Sequence, residues 1–167
     1  MNNMLRAALM VLVGAGALVG CGTDSTTDEG LEPGTYAVQS IDLASCATDS
    51  WLKSMTAASS LVVEASGDGY VVQTCTDGGT SCSPTSPSRY ALTVGGWNGQ
   101  DGGAYLVENG CYLVHVDATA TLVNGELTIE ATRWVGQLSG GSCTYDEVLK
   151  MMEGPCDSRT RLVATVQ

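Results

Sequence analysis

The chain has 167 residues, and its 18 Asp and Glu against seven Lys and Arg give a formal net charge of −11. This length fits one domain, and so acidic a chain argues against nucleic acid or anionic lipid as a partner, since both would repel it. Seven cysteines and no phenylalanine indicate a core of aliphatic residues, tyrosine and tryptophan, with disulfides offsetting its low aromatic content.

Residues 1–20 have the pattern of a secretory signal peptide. Arg6 precedes an uncharged, apolar run from Ala7 to Gly20. This run is shorter than the roughly 20 residues that a membrane-spanning helix needs, and it ends in small residues. No other segment of the sequence is apolar over a membrane-spanning length.

The run ends at Leu18-Val19-Gly20-Cys21. This resembles the lipobox of bacterial prolipoproteins, with an aliphatic residue at −3, a small residue at −1 and then a cysteine. The resemblance implies that Cys21 receives a diacylglyceryl group, that the leader is cut before it, and that the new α-amine is acylated, commonly by palmitate. The alternative is an ordinary signal peptide whose cleavage site lies near a cysteine.

The residues after Cys21 predict a flexible acidic tether over 21–33, since they have almost no apolar side chains. The folded domain is then expected over 34–167. By resemblance to lipoproteins of double-membrane bacteria, Gly22 in place of aspartate implies the outer membrane. This applies only if the host has two membranes.

The domain alternates apolar and polar residues between Gly and Asx turns, which predicts β-strands. Tyr36, Val38 and Ser40 are expected on one face of the first strand. Asp49 or Ser50 is expected to cap a short helix with Trp51, Leu52 and Met55. The strands are expected at 35–43, 61–65, 70–74, 89–94, 104–108, 111–123, 126–137 and 160–166. Loops are expected at 83–88, which is rich in proline and serine, and at 95–103, which is rich in glycine.

The clearest unit is a hairpin around Asn124-Gly125, because both residues adopt positive φ readily. This turn places Val123 opposite Glu126 and so sets the register of both strands. One face of the hairpin is then apolar and is expected to face the core. The other face is expected to face solvent and pairs His115 with Trp134, Asp117 with Thr132, Thr119 with Glu130, and Thr121 with Thr128.

One helix is predicted at Thr144–Glu153. Thr144-Tyr-Asp-Glu147 has the spacing of a capping box, and Gly154-Pro155 ends the helix. Its apolar stripe is expected to contain Val148, Leu149 and Met152. Together the elements predict an all-β fold with one helix in the C-terminal half, an antiparallel meander of about eight strands forming a small barrel or a sandwich.

The Gly34-x-Tyr36 start, the short helix after the first strand, the meander and the late helix resemble the lipocalins. Lipocalins have tryptophan at the position of Tyr36, and their other signatures are absent here. The resemblance implies a barrel architecture only, because one fold supports many functions.

Six cysteines remain once Cys21 is assigned to the lipid, and an even number can pair completely. No Cys-x-x-Cys spacing favours a metal or redox site. Six cysteines allow 15 connectivities. The preferred pairing joins sequence neighbours and leaves the remaining two to each other: Cys75–Cys82, Cys143–Cys156 and Cys46–Cys111.

Two residues of the hairpin are candidate site residues. His115, the single histidine, could be a base or a metal ligand with Asp117, but a cross-strand pair with Trp134 is preferred. Arg133 lies by parity on the apolar face, where an unpaired guanidinium is too costly. A bulge, a side chain that reaches solvent, an internal carboxylate, or a carboxylate ligand in a barrel cavity would each resolve this.

Three Asp-Gly clusters, at 68–69, 77–79 and 101–103, lack the spacing of a calcium loop and predict turns. The sequence predicts no metal, no cofactor and no catalytic site. The first hypothesis is therefore a membrane-anchored, non-catalytic cell-envelope lipoprotein that acts through surface contacts. The alternative is a lipocalin-like carrier of a small apolar or acidic ligand. A filled barrel favours the former, and a cavity lined by Val114, Val116, Ala118 and Arg133 favours the latter.

Overall fold

The computed structural model describes residues 30–48, 50–54, 60–76, 80–93, 96–140 and 143–167. The predicted signal peptide, Cys21, Gly22 and most of the tether lie outside these residues, as do Asp49, Met55 and the second Asp-Gly cluster. The elements, in chain order, are β1 Gly34–Ser45, β2 Trp51–Ser54, β3 Ser60–Ser66, β4 Gly69–Thr76, β5 Ser81–Thr93, β6 Gly96–Val107, β7 Gly110–Val123, β8 Glu126–Leu138, α1 Tyr145–Met152 and β9 Ser158–Val166.

The strands form a closed antiparallel barrel. From β3 to β9 each strand pairs with the next along the chain, and β1 pairs with both β3 and β9. Eight strands complete the cylinder, and β2 is an additional strand on β1. The prediction of an all-β meander is confirmed, and the arrangement is a barrel. Closure pairs the edges that an open sheet would leave free.

The predicted short helix after β1 is wrong, because Trp51–Ser54 forms β2. β3 pairs only with residues 34–37 of β1. The same edge of β1 would therefore be unpaired over residues 41–44, and β2 pairs with those residues. The unpaired backbone N–H and C=O groups of a free strand edge favour pairing with a further strand, even for a segment whose local propensity would allow a helical turn.

The β7–β8 hairpin has the predicted register over its whole length, from Val123 opposite Glu126 to Cys111 opposite Leu138. His115 faces Trp134 as expected. Asn124 and Gly125 have φ of 51° and 77°, which this two-residue turn requires. A turn of fixed geometry thus sets the facing of 13 pairs of residues.

The inward face of β1 differs from the prediction beyond Val38. The register with β9 shifts between Val38 and Ser40. After this irregularity Ile41, instead of Ser40, packs against the core. An extra residue in one strand reverses the facing of all the residues that follow it.

The two predicted loops are strands. Residues 83–88 lie within β5, and residues 96–103 lie within β6. The glycines permit close approach of neighbouring backbone: a Cβ added at Gly99 would lie 2.6 Å from the carbonyl oxygen of Arg89. Asp101, expected in a turn, is therefore a strand residue. Asp68 does lie in the predicted turn between β3 and β4.

Helix α1 covers the outer face of the barrel beside β7. Val148 is fully buried and packs with Met151 against Cys111 and Leu113. Leu149, predicted in the apolar stripe, is 48% exposed. Thr144 is the N-cap but makes no side-chain cap hydrogen bond. The predicted capping box is wrong, because the Glu147 carboxylate accepts a hydrogen bond from Lys150 instead (2.7 Å).

Three disulfides cross-link the described cysteines, and two of the three predicted pairings are wrong. Cys75–Cys82 is present as expected. The other bonds are Cys46–Cys156 and Cys111–Cys143. Pairing of β1 with β9 places Ser45 opposite Ser158, so Cys46 lies beside Cys156 although 110 residues separate them. The Cys46–Cys156 bond therefore depends on closure of the barrel, which cannot be read from the spacing of cysteines in the sequence.

The predicted boundary between tether and domain is also corrected. Leu31, which was assigned to the tether, is 2% exposed and belongs to the core. The Tyr36 hydroxyl donates to the carbonyl oxygen of Glu32 (2.8 Å) and holds this segment against β1. The packed domain therefore begins before Gly34.

Candidate functional site

Side chains fill the barrel at the end where the Gly67-Asp68 and Asn124-Gly125 turns lie. We call this part the closed half. Leu61, Leu127 and Ala164 are fully buried there. They belong to one cluster with Leu31, Tyr36 and Leu122. Since packed interiors have almost no room for a ligand, the interior of the closed half supports the fold.

The opposite half contains a cavity of about 580 Å³. Its wall is mainly apolar and includes Val114, Val116, Ile129, Ala131 and Leu162, from inward positions of β7, β8 and β9. Of the cavity residues expected from the sequence, Val114, Val116 and Arg133 line it, whereas Ala118 belongs to the closed-half cluster.

Four exposed residues mark where the cavity meets solvent, and we call them the mouth: Ser86, Asp101, Tyr105 and Arg133. They lie towards the end of the barrel that also contains the three disulfides. Cys75–Cys82 joins β4 to β5 at this end, and Cys111–Cys143 ties the start of β7 to the segment before α1. The disulfides thus restrain the strands that surround the opening.

Arg133 occupies the inward-facing position that the hairpin register predicts. It lies opposite Val116, and the pairing of β7 with β8 has no bulge that would turn it outwards. Its side chain is exposed at the mouth, where Nη2 donates to the Tyr112 hydroxyl (3.3 Å). Among the ion pairs formed by described residues, none includes Arg133. The guanidinium therefore avoids the cost of burial by reaching the opening, and it has unused hydrogen-bond donors.

Asp101 is one of three mouth residues that sequence reasoning missed, with Ser86 and Tyr105. It lies opposite Val116 on the other side of β7, in the same row as Arg133. Its Oδ2 accepts a hydrogen bond from Ser86 Oγ (2.8 Å), and its Oδ1 accepts one from Gly102 N (2.8 Å). The turn at Glu108-Asn109 places Val107 opposite Gly110, and counting outwards from it places Asp101 opposite Val116 once the glycine-rich segment is taken as a strand.

Two tyrosines add hydroxyl groups to the cavity lining. Tyr90 is 2% exposed, and burial raises the pKa of its hydroxyl far above the usual value. The group therefore stays protonated and can donate a hydrogen bond at neutral pH. Tyr105 is 52% exposed at the mouth. Gly103 leaves room for its ring, since a Cβ added there would lie 3.0 Å from Tyr105 Cζ and Oη.

His115 does not face solvent as predicted, because its side of the barrel is covered. It is 1% exposed. Trp134 lies against its ring, with the centroids 6.0 Å apart, and donates from Nε1 to the carbonyl oxygen of Gly154 (3.3 Å), which brings the segment after α1 over this face. His115 Nε2 contacts Asp117 Oδ1 at 2.8 Å. The pair lies on the outside of the barrel wall, away from the cavity.

The described ranges contain no group of three His, Cys, Asp or Glu side chains that could hold a metal ion. They also include no helix long and apolar enough to cross a membrane. Searches against protein-family models, curated proteins and solved structures find no match for the chain.

Proposed function

We propose that the barrel binds a small ligand with an apolar body and an anionic group, and that a lipid on Cys21 anchors the protein to a membrane of the cell envelope. The cavity of about 580 Å³ is the observation on which the binding function rests. Cavities of about 300–1,000 Å³ with apolar walls and a few placed polar groups are typical small-molecule sites.

The distribution of aromatic side chains supports a carrier over a protein that acts through its surface alone. A filled barrel would need large side chains in both halves. Tyr36 fills the closed half, and Trp97 packs against the same cluster. Trp51 instead lies on the outside, with the guanidinium of Arg161 4.7 Å from its ring centroid. Tyr90 and Tyr105 line the half that contains Arg133, and Tyr112 contacts Arg133 there, yet the cavity beside these tyrosines stays unfilled.

Binding without catalysis is the proposal because the serine–carboxylate contact of the lining, Ser86 Oγ to Asp101 Oδ2, is exposed at the mouth and has no histidine between the two groups to activate the hydroxyl. Among the described residues that line the cavity there is no histidine or cysteine. The carboxylate of Asp101 is held by two hydrogen-bond donors at the mouth. Such an arrangement holds the carboxylate where it can attract a ligand of opposite charge. To act as a general base, the carboxylate would also need the proton of a reacting group within hydrogen-bond distance.

Replacing Arg133 with glutamine is expected to weaken binding of decanoate about fivefold. The substitution keeps a hydrogen-bonding side chain at the mouth but removes the charge that faces the carboxylate. An exposed ion pair contributes up to about 1 kcal/mol, which corresponds to this factor. Isothermal titration calorimetry on the full chain in lipid nanodiscs, with empty nanodiscs as the blank, measures the dissociation constant.

Arg89→Gln is the matched control. Arg89 is exposed and neighbours the inward Tyr90 on β5, so the same charge change is made on the outer face. It should leave decanoate affinity unchanged. Equal weakening by both variants would mean that net charge alone governs binding, and no binding to the unmodified chain would contradict the proposed function.

The lipid anchor makes a separate prediction for Cys21→Ser. The variant is expected to lose palmitate labelling in a bacterial host and to move from the membrane fraction to the soluble fraction, because two or more acyl chains are needed for firm anchoring. Labelling and fractionation measure both effects. The control Cys46→Ala/Cys156→Ala keeps the proposed lipidation site and should remain labelled. Undiminished labelling of Cys21→Ser would refute the anchor.

In a host with two membranes, the outer membrane is the proposed location. The basis is Gly22, which follows the anchor cysteine in place of aspartate. The acidic residues of the tether would keep the barrel away from anionic headgroups, since like charges repel. The cavity would then be available to solutes of the surrounding compartment.

A further inference from the structure

Two opposite charges flank one apolar residue at the mouth of the cavity. Asp101 and Arg133 both lie opposite Val116, one on each neighbouring strand. All three residues line the cavity. Adjacent strands are about 4.8 Å apart, so the backbones of the two charged residues are separated by about 10 Å.

These charges do not neutralise each other. Arg133 and Asp101 form no ion pair within 4.0 Å, and the polar partners recorded for them in the described structure carry no charge. Arg133 donates to the Tyr112 hydroxyl, while Asp101 accepts from Ser86 and from the amide of Gly102. Each charge is thus held in place with capacity for a further partner.

A ligand with a carboxylate alone would satisfy only one side of this arrangement. When the ligand's carboxylate contacts Arg133, it also lies near the carboxylate of Asp101, within the distance of about 8 Å over which charges interact at physiological ionic strength. The carboxylate of Asp101 would then oppose part of the attraction. An ammonium group on the same ligand would convert this repulsion into a second attraction.

We propose that the cavity selects a zwitterionic amphiphile, an apolar chain whose head has both an anionic group and an ammonium group. The anionic group contacts Arg133, the ammonium contacts Asp101, and the chain extends along Val116 towards Ile129 and Leu162. This inference rests on the proposed binding function and specifies the ligand class of the same site.

Decanoate, decylamine and 2-aminodecanoate test the proposal, because they share an apolar chain and differ in head charge. Calorimetry on the full chain in nanodiscs, blanked against empty nanodiscs, should rank 2-aminodecanoate as the tightest ligand. Asp101→Asn should weaken 2-aminodecanoate about fivefold and should not weaken decanoate, whereas Arg133→Gln should weaken both. The asparagine keeps an oxygen that can accept from Ser86, which preserves the local structure.

Asp68→Asn is the matched control, since Asp68 lies exposed in the β3–β4 turn at the opposite end of the barrel. It should change none of the three affinities. The inference is overturned if decanoate binds as tightly as 2-aminodecanoate, or if Asp101→Asn leaves 2-aminodecanoate binding intact; the proposed function survives both results. If the unmodified protein binds none of the three probes, both proposals are overturned.

Discussion

Replacing Cys46 and Cys156 with alanine is expected to lower the free energy of unfolding by about 4–5 kcal/mol. The bond spans 110 residues, and a cross-link over a loop of this size removes the most conformational entropy from the unfolded chain. It also joins the end of β1 to the segment before β9, where Cys46 N donates to the carbonyl oxygen of Asp157 (3.3 Å). Urea unfolding followed by tryptophan fluorescence measures the loss.

The control for this prediction is Cys75→Ala/Cys82→Ala, which removes a bond between cysteines only seven residues apart. Closing so short a loop restricts the unfolded chain less, and the expected loss is about 2–3 kcal/mol. Alanine adds no buried hydroxyl at Cys75, which is fully buried. An equal or larger loss in the control would show that local packing, and not loop length, determines the contribution of each bond.

Leu127→Ala is expected to destabilise the protein by about 2–5 kcal/mol. Leu127 is fully buried in the closed half, and its truncation removes apolar contacts and leaves a void that rigid strands cannot fill. Leu122 and Ala164, which face it on the two neighbouring strands, are held by the register of the barrel. Thermal and urea unfolding measure the change in stability.

Leu106→Ala makes the same chemical change at a leucine that is 83% exposed. Its effect is expected to stay within about 0.5 kcal/mol, because water already surrounds the side chain. A loss in Leu106→Ala comparable to that in Leu127→Ala would mean that the apolar surface of β6 is covered by a partner. A small loss in Leu127→Ala would contradict the assignment of the closed half as the core.

Short-range sequence rules predicted some elements fully. Asn124-Gly125 sets the register of β7 with β8, and this register alone placed Arg133 on the inward face. The turn between β3 and β4 and the position of α1 within one residue at each end also followed from local patterns. These features depend on backbone conformations that a few neighbouring residues determine.

Other elements depend on neighbours that local patterns do not reveal. The segments 83–88 and 96–103 contain residues that favour loops, yet both lie within strands. Residues 97–103 pair with β7, whereas in the other segment only Ser83 and Pro84 pair with β4, next to an irregularity in the register. Gly99 permits a backbone approach that a side chain would prevent. The Asp101 that faces Arg133 across Val116 was missed for this reason.

The sequence by itself determined that the chain is a β meander and that Arg133 faces the interior, since alternation and turn chemistry act over a few residues. Only the tertiary structure decided the closure of β1 on β9, and with it the Cys46–Cys156 bond, the burial of His115 and the cavity beside Arg133. The physical reason is that closure depends on the twist and pairing of all eight strands together. No single segment contains that information.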